Sequence, residues 1–238
     1  MAKIRVLKRF VRKILYKCLQ TLIIAILRTK YGVGYILMIH QIGMDDGEFS
    51  ITLDEFQSLV EFLSKHHTIQ LKDWEKEREF YALTIDDVPE SFYLYAFPVL
   101  KKYNLPFTLF VSLSLLDTNG YITTDQLLDM AQYKLCSIGS HGVSHIEYYL
   151  MDKHKIIIDL KESQKKLADL VHKPIELFAF PYGSYYACGL KNKKLVLDVY
   201  KYGFGTVKSP ITLPLVLPKY FLPRVNVDSS FITKICKL

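Results

Sequence analysis

The sequence predicts an α/β fold: about seven parallel strands curled into a distorted (β/α) barrel, with a basic helix ahead of it. Three observations predict it. Short apolar runs alternate with amphipathic stretches of helical period from residue 35 onward, the pattern of strands joined by crossover helices. The runs number about seven or eight, which suits a closed or nearly closed barrel. Polar residues able to do chemistry, namely His40, Asp86, Asp87, His141, Tyr182 and Arg224, fall at or just beyond the C-terminal ends of these runs. Barrel proteins place their sites at that end, and polar residues kept for structure alone would not sort themselves so.

Taken in order, residues 3–27 read as a helix with Ile4, Leu7, Val11, Ile14, Leu15 and Cys18 on one stripe and basic residues largely elsewhere. Nine of the 31 basic residues precede the first acid, Asp45, whereas the remaining 22 are balanced by 24 acids. The net charge of +7 therefore belongs to residues 1–30, and nucleic-acid binding by the main domain gains no support. The apolar part of this helix is shorter than the ~20 residues of a membrane span and lacks a small-residue cleavage pattern. The favoured reading is an interfacial helix drawn to anionic lipid, ahead of an anchor or a helix packed on the domain. The chain divides accordingly into a basic amphipathic helix, 1–30, and one main domain, 31–238, with enough apolar sequence for a sizeable core.

Residues 35–40 make a first strand that ends on His40. Thr52-Leu53-Asp54-Glu55 is a capping box that opens a helix to about residue 64, with Phe56, Leu59, Val60 and Leu63 at helical spacing. His66 and His67 follow as loop residues without a role. A strand is expected at 68–71, a charged connection at 73–79, a strand at 80–85, a helix at 91–103 and a strand at 106–111. Thr123-Thr124-Asp125-Gln126 caps the next helix, which leads to the strand before His141. A long helix at 152–171 turns Ile156, Leu160, Leu167 and Leu170 inward, with His154 and His172 solvated. A strand at 175–180 precedes Pro181-Tyr182-Gly183. A helix at 191–202 is expected to close on Gly203, followed by strands at 204–207 and from 220. The four cysteines, Cys18, Cys136, Cys188 and Cys236, have no pairing or zinc-ribbon spacing and read as free, which tilts toward a reducing compartment, cytoplasmic or membrane-peripheral.

Two stretches carry chemistry. The strand at 80–85 ends in Asp86-Asp87; adjacent carboxylates repel, so one keeps a proton or a cation holds them, unless the pair is simply a solvated turn. His141 and His145 stand four apart after another strand, a spacing that lets both imidazoles meet one ion. Two histidines and one carboxylate form a three-ligand metal set that leaves room for water and substrate.

Thr84-Ile85-Asp86-Asp87, Ser140-His141-Gly142-Val143-Ser144-His145 and Phe178-Ala179-Phe180-Pro181-Tyr182-Gly183 resemble, in order and spacing, the first three motifs of the polysaccharide deacetylases, the NodB-homology group or carbohydrate esterase family 4. The similarity runs from about residue 35 to 227. It implies a distorted barrel, Asp86 as catalytic base, Asp87, His141 and His145 as metal ligands, and Pro181 and Tyr182 lining the site. It also implies a divalent ion, zinc first, and an N-acetylated carbohydrate as substrate.

The pattern departs from the commonest family form in three places. No histidine follows His172, so a C-terminal acid is missing. In the branch resembling poly-N-acetylglucosamine deacetylases that histidine comes from an early strand, which assigns the acid to His40. Ala179 stands where many relatives carry an arginine that orients the base, and Arg224 is the replacement. Val88 replaces a common glycine. The expected activity is metal-dependent deacetylation of N-acetylated sugar units in a glycan. An O-acetyl esterase with the same site and a non-catalytic carbohydrate-binding member are the alternatives; an iron oxygenase with the same ligand set lacks support from the fold.

Overall fold

The computed structural model describes residues 32–43, 50–189, 192–211 and 218–235. The basic helix expected at 3–27, with its membrane reading, lies outside them, as do Cys18 and Cys236. No helix among the described residues is long and apolar enough to cross a membrane.

Strand β1 (Gly34–Ile39) is followed by the short pair β2 (Gln41–Ile42) and β3 (Ser50–Ile51), helix α1 (Leu53–Ser64) and strand β4 (Phe80–Asp86). Helix α2 (Phe97–Lys102), strand β5 (Phe107–Val111), helix α3 (Thr124–Gln132) and strand β6 (Cys136–Ser140) come next. Helix α4 (Lys153–Val171), strands β7 (Leu177–Ala179), β8 (Tyr202–Phe204) and β9 (Val225–Asn226), and helix α5 (Ser229–Ile235) complete the described chain. Seven strands form one curled sheet in the order β8-β7-β6-β5-β4-β1-β9, with every pairing parallel.

The last segment closes the curl. Leu222 exchanges hydrogen bonds with Gly203 and Gly205 of the β8 side, at 2.8 and 2.9 Å, while three residues later Val225 pairs with Leu37 of β1. Arg224 therefore sits in the seam between the first and last strands, with no exposure.

The two faces of the sheet have different contents. Side chains alternate along a strand, so in β4 Leu83 and Ile85 join the large core shared with the helices, whereas Phe80 and Ala82 join the smaller cluster on the concave face. Thr84 and Asp86 continue that inward row. Space inside is made by small residues: a Cβ on Gly139 would lie 2.6 Å from the Phe110 ring. The ring of Phe110 in turn lies 5.2 Å from the Arg224 guanidinium.

Helix starts follow the sequence closely. Thr52 with Glu55 and Thr123 with Gln126 form reciprocal capping boxes, and Asp152 accepts from Lys155 N–H to start α4. Elsewhere the structure corrects the reading. The stretch from residue 91 opens as a π-helix, Phe92–Ala96, before α2. Only Thr68 of 68–71 forms a bridge, to Tyr81, and Leu71–Lys76 is a 3-10 helix. The helix expected at 191–202 is a 3-10 helix at Lys193–Asp198, and Gly203 lies inside β8 instead of capping a helix. The physical reason is contact: a Cβ at Gly203 would lie 2.6 Å from the Tyr220 carbonyl, so the closing segment needs a glycine beneath it.

Candidate active site

Asp86 ends the inward row of β4 and is 1% exposed. The next two residues reverse the chain: Asp87 and Val88 have φ of 58° and 51°, and Val88 N–H reaches back to Asp86 C=O at 2.6 Å. This tight turn brings the Asp87 side chain round to the cleft that Asp86 already faces. A β-branched residue at positive φ is strained. Complete burial of Val88 in the helix-side core offsets that cost, so a valine holds the turn that a glycine would adopt freely.

His141 follows β6 and is buried. Its Nδ1 donates to the Ala179 carbonyl at 2.8 Å, which leaves Nε2 with a lone pair facing Asp87. His145, at φ 49°, sends Nε2 to within 2.9 Å of Asp87 Oδ1, and His141 Nε2 is 3.6 Å from the same atom. One donor atom from each of Asp87, His141 and His145 lies within 4.8 Å of the others. Ligands placed about 2.05 Å from a tetrahedral zinc stand about 3.3 Å apart, and the two carboxylate–imidazole distances bracket that figure. The donor set, its spacing and the fixed tautomer of His141 all fit a divalent ion.

Arg224 grips Asp86 with both ends of its guanidinium, Nη1 to Oδ1 at 2.6 Å and Nη2 to Oδ2 at 2.7 Å, while its Nε donates to Gly205 C=O. Burial pushes the Asp86 carboxyl up, but Arg224, helped by His141 and His40, outweighs it and holds the pKa down to about 2. Ala179 presents only a methyl group to the concave cluster, so the orienting arginine is Arg224, as the resemblance led us to expect. Burial draws His40 toward its neutral form, with the charges of Asp86 and Asp87 pulling the other way. Burial likewise lowers His141, whereas in His145 the hydrogen bond and charge of Asp87 overcome burial and raise it. Tyr182, at φ 60°, is 58% exposed with its ring 5.1 Å from that of His145, and Pro181 beside it is buried. His66 and His67 lie elsewhere, the latter against Glu77.

Four of the seven non-glycine residues with positive φ among the described residues, Asp87, Val88, His145 and Tyr182, belong to this one cleft. Backbone strain of this kind gathers where surrounding packing over-determines a geometry. Sequence reasoning passed over Asp159 and Tyr148, which meet beneath the histidine loop at 2.8 Å. The available signal was a carboxylate on the inward stripe of α4, beside Ile156, Leu160 and Ser163.

The family model for polysaccharide deacetylase matches residues 73–203, more than half of the chain. The chain belongs to the polysaccharide deacetylase family. It is accordingly a hydrolase that removes acetyl groups from sugar polymers. Among curated relatives of this deacetylase, the poly-beta-1,6-N-acetyl-D-glucosamine N-deacetylase of Staphylococcus aureus (strain MRSA252) is 26% identical over 218 residues, covering 77% of this chain and 70% of that protein. The fold is shared with the Streptococcus pyogenes deacetylase PplD in complex with acetate, at a TM-score of 0.76 and 20% identity, covering 86% of this chain and 97% of that one. It is shared also with IcaB from Ammonifex degensii, at 0.73 and 21%, covering 86% and 96%.

Proposed function

We propose that this deacetylase acts on N-acetylated amino-sugar units within a polymer and that it depends on a divalent ion, zinc first, held by Asp87, His141 and His145. The observation that carries the reading is the convergence of those three donor atoms on one point beside an ionised, arginine-bound carboxylate. An ion held by these three residues would supply Lewis acidity toward the acetyl carbonyl and lower the pKa of water.

The chain's own groups then divide the proton work. Asp86 is ionised at any working pH and takes the proton of the attacking water. A carboxylate held near 2 is a weak base on its own. Arg224 keeps both Asp86 oxygens oriented and prevents the carboxylate from turning onto the neighbouring donors. The backbone N–H at Tyr182 is a donor toward the developing oxyanion. His40 gives a proton to the leaving amine; its lowered pKa makes the imidazolium a stronger donor, though a smaller fraction carries the proton near neutrality.

Beside Pro89, just past this cluster, opens a cleft of about 490 Å³ lined by Gln41, Ile42, Leu94, Tyr95, Asn119 and Tyr121. Tyr121 reaches close enough to Asp87 for that carboxylate, after burial, to raise its pKa. Leu94 and Tyr95 are each half exposed and issue from the π-helix, a local distortion common at functional sites. Neighbouring sugar units rest here, their apolar faces on aromatic rings and their hydroxyls on Gln41 and Asn119.

The experiment compares wild type with His40→Ala on N-acetylated and O-acetylated oligosaccharides, with metal content measured alongside. Turnover of the N-acetyl substrate should fall roughly 10²–10⁴-fold with the ion retained. The O-acetyl substrate should lose less, because an alkoxide leaves with less help than an unprotonated amine. Undiminished amide hydrolysis by the variant would overturn the assignment of His40. Wild-type preference for the O-acetyl substrate would favour the esterase reading instead.

A further inference from the structure

We propose that Asp159 is a positioning residue that sets the separation of His141 and His145, and so fixes how tightly this site holds its ion. The inference rests on the metal reading of Asp87, His141 and His145.

The loop between the two histidines is only three residues long, and Asp159 gathers most of it. Its carboxylate accepts from Val143 N–H at 3.2 and 3.3 Å, from Ser144 N–H at 3.2 Å and from Ser144 Oγ at 2.9 Å. A fifth bond comes from the Tyr148 hydroxyl at 2.8 Å, just past the loop. Asp159 is 5% exposed, and among the described residues it forms no ion pair. A buried carboxylate without a countercharge is costly unless its lone pairs are filled. Here they are filled by loop N–H and hydroxyl groups, so the loop adopts the one shape that turns these donors to a single anion.

That shape has further marks. Gly142, at φ 82°, lies so close that a Cβ there would meet Asp159 Oδ2 at 2.7 Å. His145, at φ 49°, is a left-handed residue that the loop alone gives no reason to adopt. From the other side, Leu113 and Ser114 donate to Gly142 C=O and Val143 C=O. The loop is thus clasped between β5's end and the carboxylate, with both imidazoles at its margins.

The test is zinc affinity, read by competition with a chromophoric chelator, together with the melting temperature of metal-free protein. The variants are Asp159→Asn, Ser144→Ala and Tyr148→Phe, with Ser163→Ala as a control. Ser163 lies one turn further along α4, where its hydrogen bonds go to Leu160 C=O and to Tyr200 instead of to Asp159's loop partners. Asp159→Asn should weaken zinc binding by about 10-fold, the lower end of what losing a group bonded directly to a ligand does, because Asp159 acts through the loop backbone. Ser144→Ala and Tyr148→Phe should each give a smaller loss, and Ser163→Ala none despite a lower melting temperature. Unchanged zinc affinity in Asp159→Asn, or equal losses in it and the control, would overturn the proposal. Should Asp159→Asn fail to fold, unchanged affinity in both Ser144→Ala and Tyr148→Phe would overturn it equally. Wild-type protein that takes up no zinc would instead overturn the metal reading itself.

Discussion

Asp86 and Asp159 are both hidden from water at the same end of the barrel, at 1% and 5% exposure, and they are accommodated in opposite ways. Asp86 faces a full positive charge, locked to it through two bonds from a residue 138 positions later in the chain. Asp159 faces only neutral donors, all from a segment within 16 residues. The long-range ion pair fixes a protonation state; the local cluster of N–H and O–H donors fixes a backbone shape.

The largest effect is expected at Arg224. Arg224→Met removes the countercharge and should cost about 3–5 kcal/mol of stability in denaturant unfolding, because an uncompensated buried charge remains. Adding Asp86→Asn should return most of that stability and none of the activity. A loss below about 1 kcal/mol in the single variant would show that Asp86 does not depend on the pair.

A second effect concerns pH. The folded-state pKa of Asp86, about 2, lies below the ordinary value of 3.8, so the pair contributes stability above about pH 4. That contribution is lost as pH falls through 2, and the shift corresponds to about 2 kcal/mol. Metal-free Asp86→Asn should lack this part of the acid slope in unfolding free energy. Identical slopes in variant and wild type would contradict the depressed pKa.

A smaller effect probes the Asp159 side. Gly142→Ala places a Cβ against the carboxylate at positive φ, whereas Gly120, at φ 85°, has nothing within 4 Å of its Cβ position. Gly120→Ala should cost about 1 kcal/mol from backbone strain alone. Gly142→Ala should cost about 1 kcal/mol more and weaken zinc binding, which Gly120→Ala should leave intact. Equal costs in thermal unfolding would mean that the carboxylate yields freely.

Much of this was legible from residues alone, for physical reasons. Parallel strands buried on both faces read as apolar runs, and β1, β4, β5 and β6 stood out accordingly. The capping boxes at Thr52 and Thr123 are local chemistry and need no tertiary information. The three-residue strands β7 and β8 were misjudged in extent because their partners, not their composition, define them. Gly203 read as a helix stop, although a long-range contact with the Tyr220 carbonyl is what demands a glycine. Asp159 escaped notice for a related reason: on a helix a carboxylate looks solvated until the loop above it is known. Arg224 was drawn into the site through the absence of an arginine at 179, and its two bonds to Asp86 were visible only once the barrel closed.

The most direct test of the central claim is acetate release from an N-acetylated amino-sugar oligosaccharide by chelator-stripped protein titrated with zinc. Stripped enzyme should be inactive, activity should return and saturate near one ion per chain, and His145→Ala should show no such recovery in the same range. Full activity in the stripped protein, or equal recovery by His145→Ala, would contradict that claim.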